Sequence, residues 1–174
     1  TKNCKWISMY GKENTLTHCT LKDKKDMGAL CVIWLEENIV PKHIISNNYF
    51  SRPETIYDEN DEPANEQETI RIGDSSHSMQ NGECIIKDNY FYKSNGEKQE
   101  IISVKCCSNI LENNGFYESQ GTLTLRHGNN NTVKNNIFIG NNIEETGGIR
   151  VIGEGHIVEG NWMEKLNSKF EDIS

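Results

Sequence analysis

The stretch NNGFYESQGTLTLRHGNNNTVKNNIF (113–138) decides the fold, because it contains one full period of a repeat. Its ends carry the same phrase, Asn114-Gly115-Phe116 and Asn136-Ile137-Phe138, on either side of the alternating segment TLTL (122–125). The phrase recurs as Asn48-Tyr49-Phe50, Asn89-Tyr90-Phe91 and Asn161-Trp162-Met163. Self-similarity of this kind indicates a repeat architecture rather than an ordinary globular domain.

The spacing of the phrase selects the kind of repeat. Its asparagines lie 41, 25, 22 and 25 residues apart, and Cys19-Thr20-Leu21 fits the same position 29 residues before Asn48. A period of 22 to 25 residues corresponds to one coil of a solenoid, and the step of 41 to two coils or to one coil with a long insertion. Leucine-rich repeats and parallel β-helices both use such periods, but the leucine-rich signature and helical periodicity are missing here.

Short apolar segments between the repeated phrases are strand candidates: TIRI (69–72), CII (84–86), EIISV (100–104), TLTL (122–125) and IRVI (149–152). We therefore predict an all-β parallel β-helix that occupies residues 1–174 as one domain. Its coils stack at about 4.8 Å, with Asn at the corners and Ile, Val, Leu and Phe facing inward. Neither terminus shows a polar cap, so we expect an uncapped fragment of a longer solenoid.

The composition is unusually polar for a compact protein, with 34% hydrophobic residues and a mean hydropathy of -0.70. The 22 asparagines account for much of this polarity, and Asn tolerates left-handed turns, so regular turns are favoured over disorder. A net charge of -8 disfavours nucleic acid as a partner. No stretch is long enough to span a membrane, and the polar opening TKNCKW (1–6) is not a signal peptide.

Residues 51–68, SRPETIYDENDEPANEQE, interrupt the repeat. Two prolines and many acidic side chains are typical of a solvated surface loop, so we predict an acidic insertion at about 51–68. Long loops on solenoids also gather on a binding face, which makes this loop a candidate wall of a groove.

Three cations recur at about the length of one coil. Lys105 and Arg126 are 21 residues apart, and Arg126 and Arg150 are 24 apart, so coils in register would stack them in a ladder. Alternation in TLTLR directs Leu123 and Leu125 inward and Arg126 outward. Lys105 shares a face with Glu100 only if the strand bends between them, because five residues separate the two. Stacked like charges repel, which favours a binding site for a polyanion over a purely structural role.

The sequence resembles polysaccharide lyase family 6, which contains alginate lyases and chondroitinase B. The resemblance is carried by ETIRIG (68–73), EIISVK (100–105), GTLTLRHG (121–128) and TGGIRVIGEGH (146–156), and it covers nearly the whole chain in order. It implies a right-handed parallel β-helix and cleavage of an acidic polysaccharide by β-elimination. In that reaction a base removes the proton at C5 of a uronic acid and an acid protonates the departing glycosidic oxygen.

The resemblance implies roles for individual residues. Lys105 would be the base and Arg126 the acid, while His127 and Arg150 match residues that contact substrate, and Arg71 would reach a neighbouring subsite on weaker grounds. It also implies a calcium ion held by an Asn and two Glu, since calcium prefers oxygen ligands. Asn65 matches the asparagine, and Glu100 the second glutamate.

The first glutamate position departs from the family pattern. The family's two glutamates follow Glu-x-Glu, whereas here Lys98 stands two residues before Glu100. Glu97 supplies the missing ligand if one residue bulges out of EKQE (97–100). Otherwise Lys98 weakens calcium binding or takes the place of the ion.

These observations predict a calcium-assisted lyase with alginate as its substrate and partner. A chondroitin or dermatan sulfate lyase is the alternative within the same class. A non-catalytic β-helix that binds acidic glycans is the alternative outside it, and the altered EKQE segment keeps that alternative open. The family resemblance further implies a secreted or periplasmic protein.

Overall fold

The computed structural model describes residues 3–168 and shows a parallel solenoid of six coils, in which each coil contributes one strand to each of three six-stranded sheets. Sheet 1 contains β1 (Ile7–Met9), β4 (Cys31–Ile33), β7 (Ile70–Ile72), β10 (Glu100–Lys105), β13 (Gly121–His127) and β16 (Thr146–Val151). Sheet 2 contains β2 (Thr15–Thr17), β5 (Ile44–Ser46), β8 (Ile85–Lys87), β11 (Ile110–Glu112), β14 (Thr132–Lys134) and β17 (Ile157–Glu159). Sheet 3 contains β3 (Thr20–Lys22), β6 (Tyr49–Arg52), β9 (Tyr90–Ser94), β12 (Gly115–Tyr117), β15 (Ile137–Ile139) and β18 (Trp162–Glu164). A 3₁₀ helix spans Ser75–His77. The predicted parallel β-helix is confirmed.

The repeated phenylalanine forms the centre of the core. Phe50, Phe91, Phe116 and Phe138 occupy the same position in successive coils and stack at centroid distances of 5.1, 4.6 and 4.5 Å. All four are at most 3% exposed. Equivalent positions in consecutive parallel strands lie about one strand spacing apart, so one residue type can pack on itself along the axis.

The repeated asparagine forms a ladder at the corner between sheets 2 and 3. The side-chain amide of Asn48 donates to Oδ1 of Asn89 at 3.0 Å, and the same contact joins Asn89 to Asn114 and Asn114 to Asn136. Each Oδ1 also accepts the backbone N–H of the preceding asparagine, so buried corner groups are satisfied rather than orphaned. Asn48 contacts Asn89 directly, which shows that the step of 41 is a single coil with an insertion.

The insertion lies between β6, which ends at Arg52, and β7, which begins at Ile70. Residues 53–66 are exposed or partly exposed, as the acidic composition predicts. Gln67, Glu68 and Thr69 are buried at 2% exposure or less, so the exposed part of the insertion ends at Glu66.

The sixth coil has an open apolar face. Val151, Val158 and Met163 are in register with the buried Leu125, Val133 and Phe138, yet they are 48%, 45% and 46% exposed.

Among residues 3–168, no helix has the length and apolar character needed to cross a bilayer.

Candidate functional site

A cavity of about 270 Å³ opens on the outer face of sheet 1. The acidic loop contributes one wall through Asn65, and the turn before β10 contributes Glu97. Glu100 and Lys105 enter from the two ends of β10, and Arg126 enters from β13. The structure therefore brings the two residues predicted as base and acid and the three predicted calcium ligands into one cavity.

A β-bulge in β10 places Glu100 and Lys105 on the same face. Glu100 pairs with Thr122 while Ile102 pairs with Leu123, which leaves Ile101 as an extra residue, only 1% exposed. One extra residue reverses the alternation of side chains along the strand. The bend that the odd spacing required is therefore present, and it lies directly after Glu100.

A turn before β10 directs Glu97 rather than Lys98 into the cavity. Lys98 adopts a left-handed backbone with φ of 60°, and its N–H donates to the carbonyl of Asn95 at 2.6 Å. Its ammonium group points away to Glu145 Oε2 at 2.8 Å. The bulged arrangement of EKQE is thus the observed one, and Lys98 does not take the place of an ion.

Two carboxylates that line the cavity, those of Glu97 and Glu100, form a cluster with the buried carboxylate of Glu68. Oxygens of Glu68, Glu97 and Glu100 lie within 4.8 Å of one another, and all three side chains are buried. Burial and the neighbouring charge of Glu68 raise the pKa of Glu97 to about 7. Burial also raises the pKa of Glu68, against the lowering effects of its own backbone N–H and of Arg71.

This cluster fits a hard cation. Carboxylate oxygens are the ligands that calcium prefers, and a divalent ion would offset the repulsion among three buried acids. Glu68 Oε2 is buried with no hydrogen-bond partner among the described residues, which leaves an oxygen free for coordination. Asn65 borders the same cavity, and its Oδ1 accepts the backbone N–H of Glu66 at 2.9 Å.

Glu68 is the site residue that the sequence prediction missed. Glu68 is the first residue of the motif ETIRIG (68–73). The strand pairing that brings it to the site is long-range and is not visible in the motif. The N–H of Thr69 donates to the carbonyl of Ile101 at 2.9 Å, which brings the start of β7 beside the bulge after Glu100. A carboxylate two residues before a sheet 1 strand is the signal that the sequence offers.

The two predicted catalytic cations contact the acid cluster. Lys105 Nζ lies 4.0 Å from Glu68 Oε1, and its side chain is 18% exposed. Arg126 Nη1 donates to Glu100 Oε1 at 3.1 Å, while 41% of its side chain remains exposed. The Lys105 and Arg126 side chains therefore each contact a buried carboxylate and remain partly exposed to solvent.

The predicted ladder of Lys105, Arg126 and Arg150 is wrong in register. Lys105 pairs with His127, because a second bulge leaves Arg126 as the extra residue. Arg150 pairs with Thr124 in the row of Ser103, two rows before the Lys105–His127 pair. The strands are adjacent as expected, but the bulge shifts each residue that follows it.

The three residues predicted to contact substrate have different surroundings. His127 lies beside Lys105, and burial together with Arg126 lowers its pKa, so its ring is neutral near pH 7. Arg150 is partly exposed on β16. Arg71 is only 8% exposed and its guanidinium lies over the ring of Trp34, 5.1 Å from the ring centroid.

The chain is a parallel β-helix whose outer face combines a carboxylate cluster with a Lys and an Arg, and comparisons identify its family. The family model for chondroitinase B matches residues 1–171, so the chain belongs to the chondroitinase B family. A comparison with curated proteins found no match.

Solved structures with the same coil arrangement are polysaccharide lyases of family 6. The chain is 39% identical to the family 6 alginate lyase AlyGC, with a TM-score of 0.88 over 95% of this chain and 22% of that one. It is 38% identical to a mannuronic acid specific family 6 lyase from human gut microbiota, with a TM-score of 0.87 over 92% of this chain and 35% of that one. The alginate lyase AlyF-OU02, solved with G6, is 27% identical, with a TM-score of 0.89 over 99% of this chain and 36% of that one. The chain thus spans between 22% and 36% of the length of these relatives.

Proposed function

We propose that the protein is a polysaccharide lyase that cleaves alginate by β-elimination. The observation that carries this proposal is that Lys105 and Arg126 line the same cavity as Glu97 and Glu100, which form a buried carboxylate cluster with Glu68. A base, an acid and a site that neutralises a uronate carboxylate are the three parts that this elimination needs. Membership of the family supports the same assignment.

Lys105 acts as the base in this proposal, and Arg126 as the acid. In the proposed step the lone pair of Lys105 Nζ takes the proton from C5 of the uronate, the C5–H electron pair forms the double bond between C4 and C5, and the C4–oxygen bond breaks. Arg126 gives a proton to the departing oxygen, and its exposed guanidinium extends from β13 toward the position of the leaving sugar. Its hydrogen bond to Glu100 fixes the direction of approach.

Asn65, Glu68, Glu97 and Glu100 would hold calcium beside these two groups. When bound, the ion supplies positive charge that stabilises the charge developing on the substrate carboxylate. Oxygens of the three carboxylates lie within 4.8 Å of one another, and Lys105 Nζ lies 4.0 Å from Glu68 Oε1. The base is therefore positioned directly beside the site that receives the uronate carboxylate.

Alginate is preferred as the substrate because the similar structures are described as alginate lyases, one of them specific for mannuronic acid. Chondroitin or dermatan sulfate is the second candidate, favoured by the family model that matches the chain. The position of Glu97 in the cluster removes the observation that favoured a non-catalytic glycan-binding protein. We also propose that the protein acts outside the cytoplasm, where such polymers occur.

The test is to incubate the protein with alginate and, separately, with dermatan sulfate, and to follow the ultraviolet absorbance of the unsaturated product. We expect product from alginate that falls when a chelator is added and returns with calcium. Absence of product from both polymers would refute the lyase assignment. Product that is insensitive to the chelator would refute the calcium site and leave the Lys105–Arg126 assignment standing.

A further inference from the structure

A glutamine behind the carboxylate cluster ties that cluster to the acidic loop. Gln67 is fully buried and does not border the cavity. Its Oε1 accepts the backbone N–H of Ile56 at 2.9 Å, and its Nε2 donates to the carbonyls of Ile56 at 2.8 Å and Ala64 at 2.6 Å. One side chain thus joins both ends of the loop segment 56–64, which is otherwise mostly exposed.

The backbone of the same residue contacts the site. The N–H of Gln67 donates to Glu97 Oε2 at 3.2 Å, so the buried carboxylate has a fixed donor. Gln67 also lies between two residues of the oxygen set, two positions after Asn65 and one before Glu68. A displacement of Gln67 would therefore move the donor of one carboxylate and the backbone that carries the other two groups.

A buried arginine holds Gln67 from behind. Arg52 is fully buried, and its guanidinium donates to the carbonyl of Gln67 at 3.2 Å and to Gln67 Oε1 at 3.3 Å. It also donates to the carbonyls of Gly28 at 2.8 Å and Asp26 at 2.9 Å. Because these partners belong to the connection between coils one and two, Gln67 is anchored to a part of the solenoid that does not touch the cavity.

We propose that Gln67 is a positioning residue that holds Asn65, Glu68 and Glu97 in a cation-binding arrangement. The inference rests on the cation site of the proposed function and assigns its affinity to a side chain outside the cavity. The N–H of Ala64 donates to the carbonyl of Ile56 at 2.8 Å, so the two ends of the loop segment stay joined without Gln67. Loss of the Gln67 amide detaches that segment from the buried backbone beside the cluster and lets the oxygen set spread, which lowers the affinity for a cation. Partners of this kind typically contribute about 10- to 100-fold to metal affinity.

The chain offers a matched control in Gln80. Its Nε2 donates to the carbonyls of Glu36 at 3.0 Å and Ile39 at 2.5 Å, and so it ties a different loop in the same way. Gln80→Leu should disturb local structure as Gln67→Leu does, but away from the cavity. Gln67→Asn is a milder variant, because it keeps a buried amide and withdraws it by one carbon from Ile56 and Ala64.

The experiment is a calorimetric titration of calcium into the metal-free protein and the three variants, each first checked for folding by circular dichroism. We expect an affinity loss of about 10-fold or more for Gln67→Leu, a smaller loss for Gln67→Asn and no loss for Gln80→Leu. Should Gln67→Leu fail to fold, Gln67→Asn carries the test alone. A folded Gln67 variant that binds calcium like the wild type would overturn the inference, as would a wild type that binds none.

The alginate assay on the same samples separates this inference from the proposed function. We expect the Gln67 variants to need more calcium for half-maximal activity and to recover turnover when calcium saturates. Calcium binding by the wild type without product from either polymer would overturn the proposed lyase activity and leave the affinity comparison valid.

Discussion

Replacing Glu97 by Gln should stabilise the metal-free protein at alkaline pH. The pKa of Glu97 is raised from 4.5 to about 7, first by burial and then by the charge of Glu68. One pKa unit corresponds to about 1.4 kcal/mol, so the ionised side chain costs the folded state about 3 kcal/mol. Gln has the same shape, carries no charge and still offers an oxygen to the N–H of Gln67.

The sign of the pH dependence follows from proton binding. Between pH 4.5 and about 7 the folded protein keeps a proton on Glu97 that the unfolded chain has lost, so the free energy of unfolding falls as pH rises. Below that range Glu97 is neutral in both states. The stability difference between Glu97→Gln and wild type should therefore be near zero at about pH 4 and reach about 3 kcal/mol at about pH 8.

The assay is urea unfolding followed by circular dichroism, in buffers that contain a chelator. Glu112→Gln is the matched control, because Glu112 lies on sheet 2 and pairs with Lys134 at 3.2 Å, far from the cavity. The control should gain no stability at either pH. A Glu97→Gln difference that is the same at both pH values, or a wild type that is the more stable protein at about pH 8, would refute the reasoning.

Addition of calcium should reverse the order of the two proteins. A ligand that binds only the folded state stabilises it by about 4.1 kcal/mol at about 1,000 times its dissociation constant, which exceeds the advantage of about 3 kcal/mol that Glu97→Gln has at about pH 8. The wild type should receive this stabilisation in full, whereas Glu97→Gln lacks one carboxylate and should receive less. Equal stabilisation of both proteins would exclude Glu97 as a ligand.

Three further substitutions test other parts of the structure. Lys105→Ala should lower turnover on alginate at least about 100-fold with an unchanged melting temperature, and a fully active variant would refute the base assignment. Lys98→Met, which removes the partly exposed ion pair with Glu145, should change stability by less than about 1 kcal/mol and keep activity calcium-dependent; calcium-independent activity would contradict the site geometry. Asn114→Ala should cost about 2–4 kcal/mol in urea unfolding, because it orphans buried donors of Asn89, and a cost below about 1 kcal/mol would show that the ladder contributes little.

The coil arrangement could be predicted because the solenoid repeats the same residue at the same place. Asn and Phe recur at 22 to 25 residues since the ladder and the stack each need one residue type in every coil. The extra residues of the long coil fall outside those positions, so the pattern survives a step of 41. Repeated packing against the preceding coil is visible in one sequence without any structure.

The register of the site could not be predicted in the same way. Counting alternate residues fails after a β-bulge, and sheet 1 has bulges at Ile101 and Arg126. The first shifts Lys105 onto the face of Glu100, and the second separates Arg126 from the row that counting assigned to it. Bulges arise from how neighbouring strands fit together, which a local pattern of apolar and polar residues does not encode.

The carboxylate set depended on backbone and long-range contacts. Lys98 occupies a left-handed conformation that its residue type does not indicate, and its ion pair with Glu145 joins positions 47 residues apart. Glu68 joins the set only because β7 pairs with β10. The local motif correctly indicated an acidic site, while the choice among Glu68, Glu97 and Lys98 required the folded chain.

The central claim is that the cavity performs an elimination, and the mass of the products tests it most directly. Alginate is digested by the protein with calcium present, and the fragments are analysed by mass spectrometry. The account predicts fragments whose non-reducing sugar is unsaturated and therefore lighter by one water than a hydrolysis product, with far less product from Lys105→Ala. Fragments whose non-reducing sugar is saturated would show hydrolysis and would contradict the assignment of Lys105 and Arg126.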